Sequence, residues 1–367
     1  MPDIGWYVVV LLVAAGATAA LTVPCRRFSV LTGYVALPNE RTMHKQPIPY
    51  GGGAAMFLGL LVAVLAAAAV PALRPVFSDS PEMLGVVLAA GAIFAVGLID
   101  DVREMSAPAK MAGQVLAASI LYFLGVTMYQ FKVPLAGFIV LTPGIIPLIT
   151  ALWVIALANA INLIDGLDGL AAGIVAIGSG ALAIYGLRLM GLGILPLDNV
   201  GPLVAVIACG ICLGFLPFNF NPARLFMGDA GSNFLGFLLG SLTVVGTFTR
   251  VERGSGYSPY GVLAPLLVMA VPLYDMTSVV LIRLSEGRSP FVGDRRHFSH
   301  RLVARGLTPP HAVLTIDLVT LASGLGALLL HRLDGMGALV VLAQTSCLIG
   351  VVAILELSGS RSERENV

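Results

Sequence analysis

Residues 82–126, EMLGVVLAAGAIFAVGLIDDVREMSAPAKMAGQVLAASILYFLGV, hold two apolar runs on either side of a charged segment running from Asp100 to Lys110. An α-helix needs about 20 apolar residues to cross the hydrocarbon core of a bilayer, and each run is close to that length. The stretch therefore reads as two membrane spans joined by a turn in water. The same ruler carried outward finds spans near 4–24, 52–71, 82–99, 107–126, 144–161, 169–187, 200–217, 232–249, 259–284, 311–331 and 336–357. The expected fold is an all-α polytopic integral membrane protein with about 11 transmembrane helices. Between the fourth and fifth spans, TMYQFKVPLAGFIVLTP (127–143) is too short and interrupted to cross. Its β-branched and aromatic residues suggest a short extracytoplasmic β-hairpin.

Composition agrees with a bilayer as solvent. Hydrophobic residues make up 57% of the 367 positions and charged residues 11%, against about 25% charged in a soluble domain. A net charge of +1 leaves no basic surplus for a nucleic-acid backbone, so nucleic acid is excluded as a partner. The four cysteines lie in or beside apolar runs. Cys209 and Cys212 have zinc-like spacing but no His or Cys partner nearby, so they read as membrane packing. The run from Ile4 to Val23 lacks a basic leader and is long enough to span, which makes it an uncleaved first helix. No repeat or long linker divides the chain, which is expected to be one transmembrane domain (1–357) with a short tail (358–367).

Orientation follows from the basic residues. With the N-terminus outside, the inner loops and tail hold fifteen of the 21 Lys and Arg residues, as the positive-inside tendency requires. The expected setting is the plasma (inner) membrane, multi-pass, with the C-terminal tail in the cytoplasm. Six acids, Asp100, Asp101, Asp165, Asp168, Asp229 and Asp294, then fall on that same cytoplasmic side. Charge near membrane depth is expensive and needs a reason.

In NAINLIDGLDGLAAG (159–173), Asp165 and Asp168 are three apart and are expected to share the face of a helical turn, with Asn159 and Asn162 one turn back. Gly166 and Gly169 would let a ligand approach the backbone. Adjacent Asp100 and Asp101 point about 100° apart on a helix and so take different tasks, one facing a metal or phosphate and the other orienting Lys110 or Arg103. In FNFNPARLFMGDAGSNFLG (218–236), Asp229 stands at a helix N-terminus, a favourable place for phosphate with a hard cation, and Phe226 could stack on a base. The inner loops add cations: Arg41, His44 and Lys45, then Arg288, Arg295, Arg296, His297, His300 and Arg301. Acids for a metal and bases for phosphates on one face suit phosphoryl transfer. Asp275 reads as a buried acid at a helix break after Pro272, pairing with a neighbouring helix.

Five segments in order, PNERTMHKQPIPYGG, GLIDDVREMSAPAK, NAINLIDGLDGLAAG, FNFNPARLFMGDAGS and PLYDMTSVVLIRLSEGRSPFVGDRRHFSHRL, resemble the polyprenyl-phosphate N-acetylhexosamine-1-phosphate transferases, a family that includes phospho-MurNAc-pentapeptide translocase. The likeness is greater to the branch that uses small UDP-N-acetylhexosamines. It implies transfer of an N-acetylhexosamine 1-phosphate, most simply GlcNAc-1-phosphate, from a UDP-sugar to undecaprenyl phosphate, with Mg2+ (or Mn2+) as cofactor and UMP released. By the resemblance, Asp229 is a metal ligand, Asp100 shares the metal and lies nearest the lipid phosphate, and Asp101 lies beside it. Asn162, Asp165, Gly166, Leu167 and Asp168 line the uridine side with Asn219 and Phe226. His297 and His300 hold the diphosphate or sugar, helped by Arg301. The chain departs from the family pattern at Ser299, where the His-rich motif has a third His, and at Thr42, where the first loop has Lys. The lipid bilayer completes the expected partners, and a homodimer stays open. A transporter is the reading from another class, disfavoured because the acids gather at one face and not at midplane.

Overall fold

The computed structural model describes residues 3–37, 46–133, 137–247, 259–289 and 297–358. Lys45 and Arg295, with Arg41, His44, Asp294 and Arg296, lie outside the described residues. Helix dominates: α1 (Ile4–Thr32), α2 (Gly52–Ala68), α3 (Pro75–Ser78), α4 (Glu82–Arg103), α5 (Ala107–Phe123), α6 (Ile146–Ile164), α7 (Leu170–Gly191), α8 (Val200–Asn219), α9 (Gly228–Thr247), α10 (Ala264–Val268), α11 (Ala270–Ser285), α12 (Phe298–Ala304), α13 (Pro309–Ala327) and α14 (Gly335–Ser358). Among the described residues, seven helices are long and apolar enough to cross a membrane, and the bent pair Tyr260–Val268 and Ala270–Ser285 makes up to eight. The chain is a helical, multi-pass membrane protein.

The pair bends by 65°, and the break falls at Met269, ahead of Pro272 and not after it. The physical reason is the proline ring. Within a continuous helix it would meet the carbonyl four residues back, at Val268, so the helix restarts first and Pro272 sits in the new first turn. Two small sheets interrupt the helices. Val35–Ala36 (β1) pairs antiparallel with Ile48–Pro49 (β2), which the sequence pattern does not suggest, and Gln130–Val133 (β3) pairs antiparallel with Gly137–Val140 (β4).

Inside the bundle α8 is the axis. Of its apolar window 83% is buried within the protein, against 22% for α1 and for α14. Cys209 and Cys212 are buried in α8 as free thiols. The C-terminal ends of α4, α6 and α8 meet the N-terminal ends of α5, α7 and α9 at one end of the molecule.

Candidate active site

At that end lies a cavity of about 560 Å³ whose wall includes Tyr50, Asp101, Asn162, the loop from Asp165 to Asp168, Asn219, Phe226, Asp229 and His300. Helix ends build it because that is where side chains can leave an apolar bundle without stranding charge among lipid tails.

Asp229, in the first turn of α9, is the meeting point. Its Oδ1 accepts from Asn162 Nδ2 at 2.9 Å, and its Oδ2 pairs with Lys110 Nζ. The same ammonium lies 2.8 Å from Asp100 Oδ2, so one lysine from α5 bridges acids from α4 and α9. Asp100 also accepts from the Met105 N–H at 2.6 Å, which ties the α4–α5 turn to it. Asn162 donates in addition to Ser232 Oγ at 2.8 Å. Asp100 and Lys110 stand outside the cavity wall, behind Asp229.

The neighbouring acid is used differently, as the divergence of adjacent helical side chains requires. Asp101 Oδ1 accepts from the Asp229 N–H at 2.7 Å, and Oδ2 accepts from the Ala230 N–H at 3.0 Å and from Tyr34 Oη at 2.8 Å. A carboxylate reaching across from α4 thus caps the positive end of α9. Gly228 has φ +67°, and a Cβ there would lie 2.5 Å from Asp101 Oδ2, so the cap requires glycine. Burial first, then the Asp101 charge and hydrogen bond, raises the Tyr34 hydroxyl above its ordinary pKa. Tyr50 is raised by burial and then by Asp101, Asp229 and Asp165.

The expected helical face through Asp165 and Asp168 does not form. Helix α6 ends at Ile164 and α7 begins at Leu170, leaving 165–169 as a loop: Asp165 leaves the helix with ψ 59°, and Gly169 at φ +85° stands immediately ahead of α7. The two acids part company. Asp168 Oδ2 accepts from Asn221 Nδ2 at 3.0 Å and from the Ala223 N–H at 2.9 Å, fastening the loop to the 221–223 turn. Asp165 stays with the acids: burial, then the charges of Asp229, Asp101 and Asp168, push its pKa up to about 8. Asn219 works from beneath, accepting from the Gly169 N–H at 3.1 Å and donating to the Leu225 carbonyl at 3.0 Å. Phe226 lines the cavity with Tyr50, their ring centroids 6.4 Å apart.

The two histidines also separate. His300 lines the cavity and lies so close to the loop that a Cβ on Gly166 would be 2.7 Å from its Nε2. His297 is buried and its Nδ1 lies 3.0 Å from Asp275 Oδ2, while the Phe298 N–H donates to Asp275 Oδ1 at 2.6 Å. Asp275 therefore pairs with the next element, anchoring the start of α12, and His297 is part of that anchor and not of the cavity wall. Arg301 donates to Ser278 Oγ at 3.1 Å and also stands outside the wall. Asn159 turns away from the cavity to bond Gln114.

Sequence reasoning did not single out Tyr34, Tyr50, Gln114 or Asn233. A tyrosine at a span terminus has the signature of an interfacial belt residue, and only tertiary structure brings Tyr34 to Asp101. Gln114 and Asn233 carried a signal, a polar amide one turn inside an apolar run, that was available to read.

The donor set suits a hard divalent cation. Asp229 and Asp100 already share one positive charge, the Lys110 ammonium, and their oxygens are the ligand type that Mg2+ takes. No group of three or more His, Cys, Asp or Glu side chains is arranged to hold a metal among the described residues.

So polar a cavity at the end of so apolar a bundle places the chain among membrane-embedded enzymes. Residues 83–247 match the family described as glycosyl transferase family 4. The decaprenyl-phosphate N-acetylglucosaminephosphotransferase of Mycolicibacterium smegmatis is 38% identical over 327 residues, covering 84% of this chain and 79% of that protein. The probable undecaprenyl-phosphate N-acetylglucosaminyl 1-phosphate transferase of Bacillus subtilis is 32% identical over 324 residues, 88% of this chain and 84% of that protein. The undecaprenyl-phosphate alpha-N-acetylglucosaminyl 1-phosphate transferase of Yersinia pestis is 29% identical over 314 residues, 83% of this chain and 78% of that protein. The chain belongs to the polyprenyl-phosphate N-acetylhexosamine-1-phosphate transferase family.

Proposed function

We propose that this enzyme transfers N-acetylglucosamine 1-phosphate from UDP-N-acetylglucosamine to a polyprenyl phosphate of the decaprenyl or undecaprenyl class, with Mg2+ as cofactor and UMP as the other product. The observation that carries the reading is the convergence of Asp100, Lys110, Asn162 and Asp229 beside a cavity edged by Asp165, Phe226 and His300.

An oxygen of the lipid phosphate attacks the sugar-bearing phosphorus of the donor. The bond from that phosphorus to the oxygen bridging to UMP breaks, and UMP leaves with the electron pair. A phosphomonoester with second pKa near about 6 is largely dianionic at neutral pH, so its oxygen needs no strong base. The obstacle is repulsion between two anions. Asp229 and Asp100 would hold Mg2+, which would supply charge neutralisation at the diphosphate. Lys110, on its flexible stem between those acids, is placed to move its charge to the entering phosphate. Asn162 holds Asp229 in orientation, His300 lies where it can donate to the diphosphate or sugar, and Phe226 offers the uracil a stacking face. Leu98, Ile99, Met111 and Val115, exposed apolar residues around Asp100 and Lys110, give the prenyl chain a surface in register with the acids. Attack is direct and in line, with no phospho-aspartate. Labelled phospho-enzyme formed from the nucleotide-sugar without lipid would overturn that.

The site faces the cytoplasm in this reading, with the N-terminus and the β3–β4 hairpin outside. Helices α2, α5 and α9 cross as well, and α10 with α11 forms one broken crossing, for eleven in all. Seventeen residues, the length of α2 and α5, rise about 26 Å against a hydrocarbon core of about 30 Å. The test is purified protein with Mg2+, decaprenyl or undecaprenyl phosphate, and a panel of UDP-sugars, reading UMP. Release with UDP-N-acetylglucosamine is expected, and no release with any sugar sinks the reading.

A further inference from the structure

Gln114 and Asn233 are buried to 1% exposure, and with Asn159 they form a closed amide cluster across α5, α6 and α9. Gln114 Nε2 donates to Asn159 Oδ1 at 3.3 Å and to Asn233 Oδ1 at 3.2 Å, and Asn159 Nδ2 returns a bond to Gln114 Oε1 at 2.9 Å. Asn233 Nδ2 then donates to the Asp229 backbone carbonyl at 2.9 Å. Each amide lies one helical turn deeper than a residue of the centre: Gln114 four residues after Lys110, Asn159 three before Asn162, and Asn233 four after Asp229. Residues at those spacings share a helix face. A layer of three amides therefore lies directly beneath the layer of three site residues, helix for helix.

We propose that Gln114, Asn159 and Asn233 are positioning residues that set the rotation and depth of α5, α6 and α9, so that Lys110, Asn162 and Asp229 meet at reacting distance. Several other buried polar side chains spend their bonds within their own helix, as Thr22 does on Thr18, Ser179 on Val175, Ser241 on Phe237 and Thr320 on Ile316; Asn159 adds such a bond to the Ile155 carbonyl but reaches across to Gln114 as well. Trp153 to Thr243 crosses between α6 and α9 but lies nearer the opposite end of those helices. Helix association alone would be served by small apolar residues anywhere along the contact, and burying three amides away from water has a cost. Their placement one turn behind the centre is accounted for by a tolerance on geometry, because a displacement of about 1 Å can cost about 10²-fold in rate.

The proposal rests on the transferase reading. The test is steady-state UMP release by the full chain carrying Gln114→Leu, Asn159→Leu, or both, with melting temperature measured alongside. For Gln114→Leu, kcat is expected to fall at least about tenfold while KM for the nucleotide-sugar stays within about twofold, in enzyme that remains folded at the assay temperature although the orphaned Asn159 and Asn233 amides lower its melting temperature. The double variant is expected to be no slower than the slower single, since both break one network. If Gln114→Leu does not fold, Gln114→Glu keeps the chain length, removes the amide donor, and is expected to show the same split. Undiminished kcat in a folded variant, loss confined to KM, or multiplying losses in the double variant overturns the proposal. No turnover by the unsubstituted enzyme breaks the transferase reading and takes this proposal with it.

Discussion

Asp229 at the head of α9 and Asp275 within α11 are both carboxylates with an amide or imidazole partner on one side, yet they end in different roles. Asp229 lines the cavity, and its Oδ2 is held by a lysine, a partner on four methylenes that can leave when a stronger cation arrives. Asp275 is fully buried, and its oxygens are taken by the Phe298 N–H and His297, partners that cannot leave without unwinding α12. The first acid has a replaceable counter-charge beside open volume, and the second has permanent partners and no volume. Motif membership did not separate them. The partner's freedom to move does.

The largest expected effect tests that contrast directly. Asp229→Asn should lower kcat by at least about 10²–10³-fold and weaken the Mg2+ dependence, with expression and melting temperature unchanged. Asp275→Asn keeps an acceptor for the Phe298 N–H but spoils the His297 contact. It should cost about 1–3 kcal/mol of stability and only several-fold in turnover. A larger loss of activity from Asp275→Asn than from Asp229→Asn would break the comparison.

The histidines give the next test. His300→Ala should reduce kcat by about 10²-fold without changing the melting temperature, because His300 faces the cavity and packs against Gly166. His297→Ala should do the reverse, lowering the melting temperature while folded enzyme keeps most of its turnover. Equal activity losses at equal stability would mean that His297 reaches substrate after all.

The helical membrane bundle was legible because a span announces itself by length and apolarity alone, and among the described residues seven helices, or eight with the bent pair, meet that test. The break before Pro272 was half legible: proline marks that a helix stops, but the clash falls four residues back, at Val268. In the centre, the cost of charge at a span terminus marked Asp100, Asp101 and Asp229 as acids of one face and set Lys110 beside the adjacent pair, and the family resemblance joined Asp229 to Asp100, while Asp101 could not be recognised as a cap. Its partners are backbone N–H groups 128 and 129 residues away, and backbone has no sequence signal. The same holds for Asp168. Spacing placed it beside Asp165 on a helix, but α6 stops at Ile164, Asp165 takes ψ 59°, and the loop that runs on to Gly169 sends the two side chains to different neighbours.

Asp165 gives the centre a pH signature. Burial and the charges of Asp229, Asp101 and Asp168 raise its pKa to about 8, so below that pH it is mainly protonated. A cation among these acids favours the ionised form and expels the proton. Mg2+ affinity should therefore rise from pH 6 toward 8, by up to about tenfold per unit for one proton, and level off above it. Titration calorimetry in buffers of different ionisation enthalpy reads the proton release directly. Asp165→Asn should flatten the slope, and an unchanged slope would place the titrating group elsewhere.

Asp168→Asn is the mildest change and isolates positioning from chemistry. Both bonds that fasten the loop to the 221–223 turn fall on one oxygen, Oδ2, and an asparagine oxygen in its place still accepts both, but without the charge. Losing the charge assistance is worth about 0.5–1.5 kcal/mol, or about two- to tenfold at about 1.4 kcal/mol per decade. The loop shapes the cavity edge and supplies no group to the Lys110–Asp229 pair, so the loss should appear in KM for the nucleotide-sugar, with kcat held. A fall in kcat at constant KM would move Asp168 from the wall of the site into its chemistry.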